Sequence, residues 1–128
     1  MAQTMSCVEL LAQHTITPEA LEKLLHVRAL GECDFLLVDV REALEFSQES
    51  IEGTDLLLPF TRIHLYQEEL EHLKTTPFVL YCHTGGRTDY LMHVLGRMGF
   101  TQRCHLPEGI DSYRGKVVKN APFPNPLK

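Results

Sequence analysis

The sequence is short of basic residues and of long apolar runs, and each shortage excludes a class of partner. Twelve Lys and Arg stand against 17 Asp and Glu, so the formal net charge of -5 argues against nucleic acid as a partner. No apolar run approaches the roughly 20 residues that cross a bilayer, so no membrane association is expected. Residues 1–13 carry no basic segment of the kind that opens an export signal, and we expect a cytoplasmic protein.

Cysteine is also scarce, with four widely spaced residues: Cys7, Cys33, Cys82 and Cys104. A chain of 128 residues that is 44% hydrophobic can bury its own core without covalent crosslinks. We therefore expect four reduced thiols, with Cys7 and Cys33 in structural roles.

Apolar runs alternate with helical periodicities along the chain, which is typical of an α/β fold with a mostly parallel sheet covered by helices on both faces. Continuous apolar runs at residues 35–38 and 78–81 predict buried strands. Weaker strands are expected at residues 56–58 and 104–106, and a short first strand within residues 13–16.

Three helices are predicted from apolar stripes. The first begins at Thr17-Pro18-Glu19, which offers an N-cap, a proline in the first turn and an acidic residue. The second carries the stripe Ile63, Tyr66, Leu70 and Leu73. The third carries Leu91, Val94, Leu95 and Met98 and should end at Gly99.

We expect one domain at residues 13–118, preceded by an extension at residues 1–12 and followed by an extended, proline-rich tail at residues 119–128. Residues 114–128 contain four basic residues and no acidic one. Two interpretations of this end stay open: a solvated tail, and a segment that docks or attracts anions.

The segment at residues 81–88 predicts a site, because it joins an apolar strand to an amphipathic helix. Cys82 follows the strand, at the end where parallel sheets bind ligands. Gly85 and Gly86 allow backbone amides to turn toward one point, and the helix adds its positive end, so the loop favours a thiolate. Arg87 offers forked donors to an oxyanion. Alone, a buried cysteine is usually inert and a double glycine is usually a turn, but their combination indicates function.

Residues 82–88, Cys-His-Thr-Gly-Gly-Arg-Thr, resemble the Cys-x-x-Gly-x-Arg-Ser/Thr loop of the rhodanese family. Residues 37–46 are similar to the Asp-x-Arg-x-x-x-Glu-aromatic segment of that family, and residues 106–110 to its closing turn. Tyr113 stands where the family often has tryptophan. The likeness extends from residue 16 to residue 113.

This resemblance implies a rhodanese-like three-layer fold and a sulfurtransferase of the thiosulfate sulfurtransferase type. Catalytic Cys82 would take sulfane sulfur from a small anionic donor such as thiosulfate, carry it as a persulfide, and pass it to cyanide, a thiol or a protein cysteine. The resemblance implies no cofactor. It assigns substrate binding to the rest of the loop: His83, Thr84, Gly85, Gly86, Arg87 and Thr88. The sequence specifies neither the physiological donor and acceptor nor an oligomeric state.

Asp39 and Arg41 follow the preceding buried strand, and we expect them to support either the loop or the scaffold. Arg41 is spaced to pair with Glu45 one helical turn later. His83 has two open interpretations: its imidazole favours the thiolate and attracts an anionic donor, or it is exposed and passive.

Three other functions compete with sulfur transfer. Cysteine phosphatases and arsenate reductases resemble Cys-x5-Arg, whereas four residues separate Cys82 from Arg87 here. A catalytically silent rhodanese-like module that binds a protein is a second alternative. A metal site is a third, but neighbours such as Cys104 and His105 point to opposite faces of a strand, so no metal is expected. Cys104 would be a resolving thiol if its strand brought it to Cys82.

Overall fold

The computed structural model describes residues 6–100 and 103–128. Its helices are α1 (Cys7–Leu11), α2 (Pro18–Ala29), α3 (Ala43–Gln48), α4 (Gln67–His72) and α5 (Gly86–Arg97). Its strands are β1 (Leu36–Asp39), β2 (Ser50–Ile51), β3 (Leu56–Leu57), β4 (Phe78–Tyr81), β5 (Arg103–His105) and β6 (Val117–Val118). No helix in these described ranges is both long and apolar enough to cross a membrane.

A four-stranded parallel sheet with the order β3-β1-β4-β5 forms the centre of the fold. The predicted α/β architecture is confirmed, and each of these strands overlaps a predicted apolar run. The predicted first strand is reduced to one parallel bridge between Thr15 and His105, which extends the sheet beyond β5. A separate antiparallel pair joins β2 to β6.

The parallel register brings the carboxyl ends of the strands to one edge. Asp39 lies opposite both Leu57 and Tyr81, and Leu80 lies opposite His105. The segments that follow β1, β4 and β5 therefore converge at this edge, which is where ligands bind in such sheets.

Two apolar clusters cover the two faces of the sheet, as the alternation of side chains along a buried strand requires. Val79 and Tyr81 of β4 belong to one cluster, together with residues of α1 and α2. Phe78 and Leu80 belong to the other, together with residues of α5. The result is the expected three-layer arrangement.

Two of the three predicted helices are confirmed: α2 begins at its predicted N-cap, and α5 ends close to Gly99 as predicted. Thr17 Oγ1 accepts a hydrogen bond of 3.1 Å from the Ala20 amide at the start of α2. Gly99, with φ +89°, follows the end of α5. The prediction of one helix through residues 63–73 is wrong: a 3-10 segment at Phe60–Leu65 is separated from α4 by Tyr66, whose φ and ψ are -110° and 42°. Tyr66 is fully buried, so core packing sets this break.

The C-terminal segment lies against the domain at the outer edge of β3. The Leu57 amide donates to Asn125 Oδ1 at 2.7 Å, and Asn125 Nδ2 donates to the Leu57 carbonyl at 3.1 Å. The neighbouring amide of Leu58 donates to the Asp39 carbonyl of β1, so the backbone amide and carbonyl of Leu57 point away from the sheet. One side-chain amide thus pairs with both outward backbone groups of this edge residue.

Cys7 and Cys33 form a disulfide with a Cα–Cα distance of 6.0 Å, so the prediction of four reduced thiols is wrong for this pair. Leu11 places α1 against the core, which brings Cys7 to the segment that precedes β1. Cys82 and Cys104 are free thiols, and both are buried.

We predict that Cys7→Ser lowers the free energy of unfolding by about 3 kcal/mol, because the bond closes a loop with a sequence separation of 26 in the unfolded chain. Denaturant unfolding with and without reductant measures the loss. Reductant should destabilise the parent protein and leave Cys7→Ser unchanged. Equal unfolding midpoints for the oxidised parent and the variant would contradict the role of this bond.

Candidate active site

Cys82 occupies the turn between β4 and α5 with its sulfur directed into the loop. Its side chain is buried, at 1% exposure. Sγ accepts a hydrogen bond from the Gly85 amide at 3.1 Å. An amide directed at sulfur stabilises negative charge that develops there during a reaction.

The two glycines of the loop have different structural requirements. Gly85 has φ +105°, and a Cβ there would collide with the carbonyl oxygen of Pro107. Gly86 is the first residue of α5, and a Cβ there would meet no atom within 4 Å. Only Gly85 is therefore required by backbone angle and by space.

The closing turn at residues 106–110 packs directly against the cysteine loop. The Ile110 amide donates to the Cys82 carbonyl at 2.9 Å, and the Asp111 amide donates to the His83 carbonyl at 3.1 Å. Gly109 has φ +66°, and a Cβ there would collide with both carbonyl groups. The segment after β5 thus fixes the backbone on which Cys82 stands.

Arg87 forms a forked ion pair with Glu45 of α3, with N–O distances of 2.8 and 2.9 Å. The two side chains are 29% and 30% exposed, so the pair lies at the surface of the site. Glu45 Oε1 also accepts a hydrogen bond from the Glu42 amide at 3.0 Å, within the N-terminal cap of α3. The hydrogen bond from Arg87 lowers the pKa of Glu45 to about 2.

Arg41 pairs with Asp39, so the predicted pair between Arg41 and Glu45 is wrong. Arg41 Nε and Nη2 donate to the Asp39 carboxylate at 2.8 to 3.1 Å, and Nη2 donates to the Glu49 carbonyl at 2.6 Å. Asp39 and Arg41 are both buried, at 0% and 4% exposure. Their hydrogen bonds join the end of β1 to the end of α3, which is a scaffolding contact.

Thr88 is fully buried on the inner side of Cys82. The sequence predicts substrate binding for this residue. Its Oγ1 is 3.1 Å from the Gly85 carbonyl and 3.7 Å from Cys82 Sγ. His105 Nδ1 is 2.8 Å from the same oxygen. The sequence points to His105 only as a potential metal ligand, because no local pattern identifies it as a neighbour of this loop.

The outer side of the loop is formed by exposed residues, since His83, Thr84 and Gly86 all face solvent. Arg87 is partly exposed beside them, whereas Gly85 and Thr88 are buried and contact the Cys82 sulfur. Substrate binding by these residues stays a prediction.

Cys104 does not reach Cys82, although their strands are adjacent. Cys104 lies opposite Val79 and belongs to the apolar cluster that includes α2, whereas Cys82 belongs to the cluster that includes α5. Burial raises the pKa of Cys104 to about 12. The interpretation of Cys104 as a resolving thiol is therefore wrong.

The two glycines provide a matched pair of variants. We predict that Gly85→Ala lowers the free energy of unfolding by about 2 kcal/mol or more, because an L side chain is strained at this φ and has no space. Gly86→Ala should leave stability unchanged or raise it slightly, since it lies in open space on a helix. Denaturant unfolding of both variants measures the difference, and equal losses would contradict this geometry.

The ion pair predicts a pH dependence of stability. Because the pKa of Glu45 falls from 4.5 to about 2 on folding, its contribution is complete above about pH 4.5 and is lost as the pH falls toward 2. After allowance for solvent screening, Glu45→Gln should cost about 1.5 kcal/mol at pH 7.

This cost should shrink through the same acidic range, as measured by denaturant unfolding at several pH values. Glu49→Gln, at the exposed end of the same helix, is the control and should cost little at any pH. A cost for Glu45→Gln that is constant down to pH 3 would contradict the ion-pair account.

Comparison with known proteins adds a family to this geometry. The chain matches the Rhodanese-like domain over residues 17–116. Among curated proteins, no sequence matches the chain at a significant level.

Three similar solved structures illustrate the fold. A rhodanese-related protein from Thermoplasma volcanium has a TM-score of 0.67 and 21% identity, over 83% of this chain and 98% of its own. A rhodanese-like domain from Anabaena sp. has a TM-score of 0.70 and 18% identity, over 84% and 80%. A thiosulfate sulfurtransferase from Pseudomonas aeruginosa has a TM-score of 0.69 and 22% identity, over 84% of this chain but 20% of its own. With the matched residues including the cysteine loop, the chain belongs to the Rhodanese-like domain family.

Proposed function

We propose that the chain is a sulfurtransferase that moves sulfane sulfur through a persulfide on Cys82. The observation that carries this proposal is the hydrogen bond from the Gly85 amide to Cys82 Sγ, inside a loop that packs closely against the Pro107 carbonyl. The sulfur nucleophile reacts as a thiolate and the persulfide forms as an anion, and a fixed amide stabilises the negative charge of either one.

The donor proposed is a small anion such as thiosulfate. Cys82 Sγ attacks the outer sulfur of the donor, a new S–S bond forms, and the old one breaks with its electron pair leaving on sulfite. The product is the Cys82 persulfide anion. The partly exposed guanidinium of Arg87 pairs with Glu45 through one hydrogen on each terminal nitrogen. Its remaining N–H groups would bind the oxygen atoms of thiosulfate.

The acceptor proposed is cyanide, a thiol or a protein cysteine. Its nucleophile attacks the outer sulfur of the persulfide, and the electron pair of the broken S–S bond returns to Cys82 Sγ. Negative charge therefore develops on Sγ in this second step, where the Gly85 amide already points. His83 and Thr84 are exposed around this position, so an acceptor approaching from solvent contacts them first.

The resemblance to the thiosulfate sulfurtransferase from Pseudomonas aeruginosa supports the donor class, although this chain spans a fifth of that chain. Phosphoryl transfer has less support, because four residues between Cys82 and Arg87 make a smaller ring than the phosphatase loop. A protein-binding module without chemistry would have no requirement for an amide directed at a thiol.

We predict that thiosulfate adds one sulfur atom to the native protein and that Cys82→Ser abolishes this addition, because a hydroxyl cannot form a persulfide. Intact mass spectrometry measures the added sulfur, which reductant should remove. The same measurement with 3-mercaptopyruvate distinguishes the two donor classes.

Cys104→Ser is the matched control, since Cys104 is also a free buried thiol but lies on the other face of the sheet. It should load sulfur like the parent. Loading of Cys82→Ser, or a parent protein that takes sulfur from neither donor, would exclude the proposed reaction.

A further inference from the structure

Behind Cys82 lies a buried polar group that the proposed sulfur transfer does not use. His105 is 3% exposed, and its Nδ1 lies 2.8 Å from Thr88 Oγ1, which in turn lies 3.7 Å from Cys82 Sγ. The parallel register explains why His105 lies near Cys82. His105 is opposite Leu80, so its side chain shares the sheet face of Leu80 and Cys82.

The Thr88 hydroxyl has one proton and three neighbours that accept it: the Gly85 carbonyl, Cys82 Sγ and an unprotonated His105 Nδ1. The Gly85 carbonyl lies 3.1 Å from Oγ1 and accepts the Asp89 amide at 2.9 Å as well, since a carbonyl oxygen has two lone pairs. The imidazole competes for the hydroxyl proton only while Nδ1 is unprotonated, because a protonated Nδ1 donates to Oγ1 instead. The hydroxyl proton is then shared between the Gly85 carbonyl and the sulfur, and a negative charge on the sulfur draws the proton toward it.

We propose that His105 is a positioning residue for Cys82: His105 donates its Nδ1–H to Thr88 and thereby directs the Thr88 hydroxyl proton at the Cys82 sulfur. This proposal rests on the proposed sulfur transfer and adds a second donor to Sγ beside the Gly85 amide. No proton is transferred between residues: the Thr88 hydroxyl rotates, and the imidazole keeps the Nδ1–H tautomer.

The second donor matters in the two states in which Sγ itself carries charge. One is the free thiolate before it attacks the donor, and the other is the leaving thiolate when the acceptor takes the outer sulfur. A hydrogen bond to an ionised group is stronger than one between neutral groups, so the charge on sulfur favours this arrangement of the relay.

The surroundings of His105 disfavour its protonated, charged form. Burial and the nearby His14 lower the pKa of His105, and Asp89 of α5 opposes them. The His14 ring meets the His105 ring edge-on, at a centroid distance of 5.7 Å. Around Cys82 the charged groups are Arg87 and Glu45, and none of these four neighbours is changed in the experiment below.

The experiment compares His105→Phe, which keeps a ring without nitrogen, with His105→Asn, whose amide nitrogen reaches the position of Nδ1. Thr88→Val removes the hydroxyl. Cys104→Ala is the control for a buried change in the same strand, on the other face of the sheet. Two readouts are taken: the pH midpoint of Cys82 alkylation by iodoacetamide, located by peptide mapping, and the turnover of thiosulfate with cyanide.

Loss of one hydrogen bond to a charged sulfur should slow turnover about tenfold in Thr88→Val and about fivefold in His105→Phe, and both should raise the alkylation midpoint. His105→Asn should stay within about twofold of the parent. The double variant of Thr88→Val and His105→Phe should match Thr88→Val alone, because His105 acts only through the hydroxyl.

The proposal is overturned if His105→Phe behaves like Cys104→Ala in both readouts, or if its effect adds fully to that of Thr88→Val. If His105→Phe does not fold, as judged by its unfolding midpoint, His105→Leu takes its place in the comparison. A parent protein that transfers no sulfur would contradict the proposed function and not the relay, because the alkylation midpoints test the relay without any sulfur donor.

Discussion

The close approach of two backbone segments is the constraint on which the site depends. Gly85 lies so near the Pro107 carbonyl that no side chain fits between them, and Gly109 lies equally near the carbonyls of Cys82 and His83. Each glycine belongs to a different segment, one after β4 and one after β5. The parallel sheet brings these segments together, and the missing side chains let the loop close around the sulfur.

Charged side chains then fix the closed loop to the rest of the sheet. Glu45 joins two helices, because it caps α3 through the Glu42 amide and holds Arg87 at the start of α5. The buried pair of Asp39 and Arg41 fixes the other end of α3. The helix after β1 is thus anchored at both ends, and its position decides where the guanidinium of Arg87 stands.

Features governed by local pattern could be predicted from the sequence. The apolar runs gave β1 and β4 because strands buried on both faces need continuous apolar residues, and the glycine loop identified Cys82. Pairings over long distances in the chain escaped prediction. Arg41 precedes α3, so the helical spacing to Glu45 did not apply, and Glu45 met Arg87, 42 residues away, instead. The Cys7–Cys33 bond and the contact between His105 and Thr88 likewise depend on how whole elements pack.

The pairing of Asn125 with Leu57 has a consequence for behaviour in concentrated solution. An open sheet edge offers free amides and carbonyls to a strand of another molecule, and this is a route to edge-to-edge aggregation. At β3 the two outward groups of Leu57 are already occupied by a side chain of the same molecule. A side-chain amide satisfies an edge without extending it, so it gives no template for a further strand.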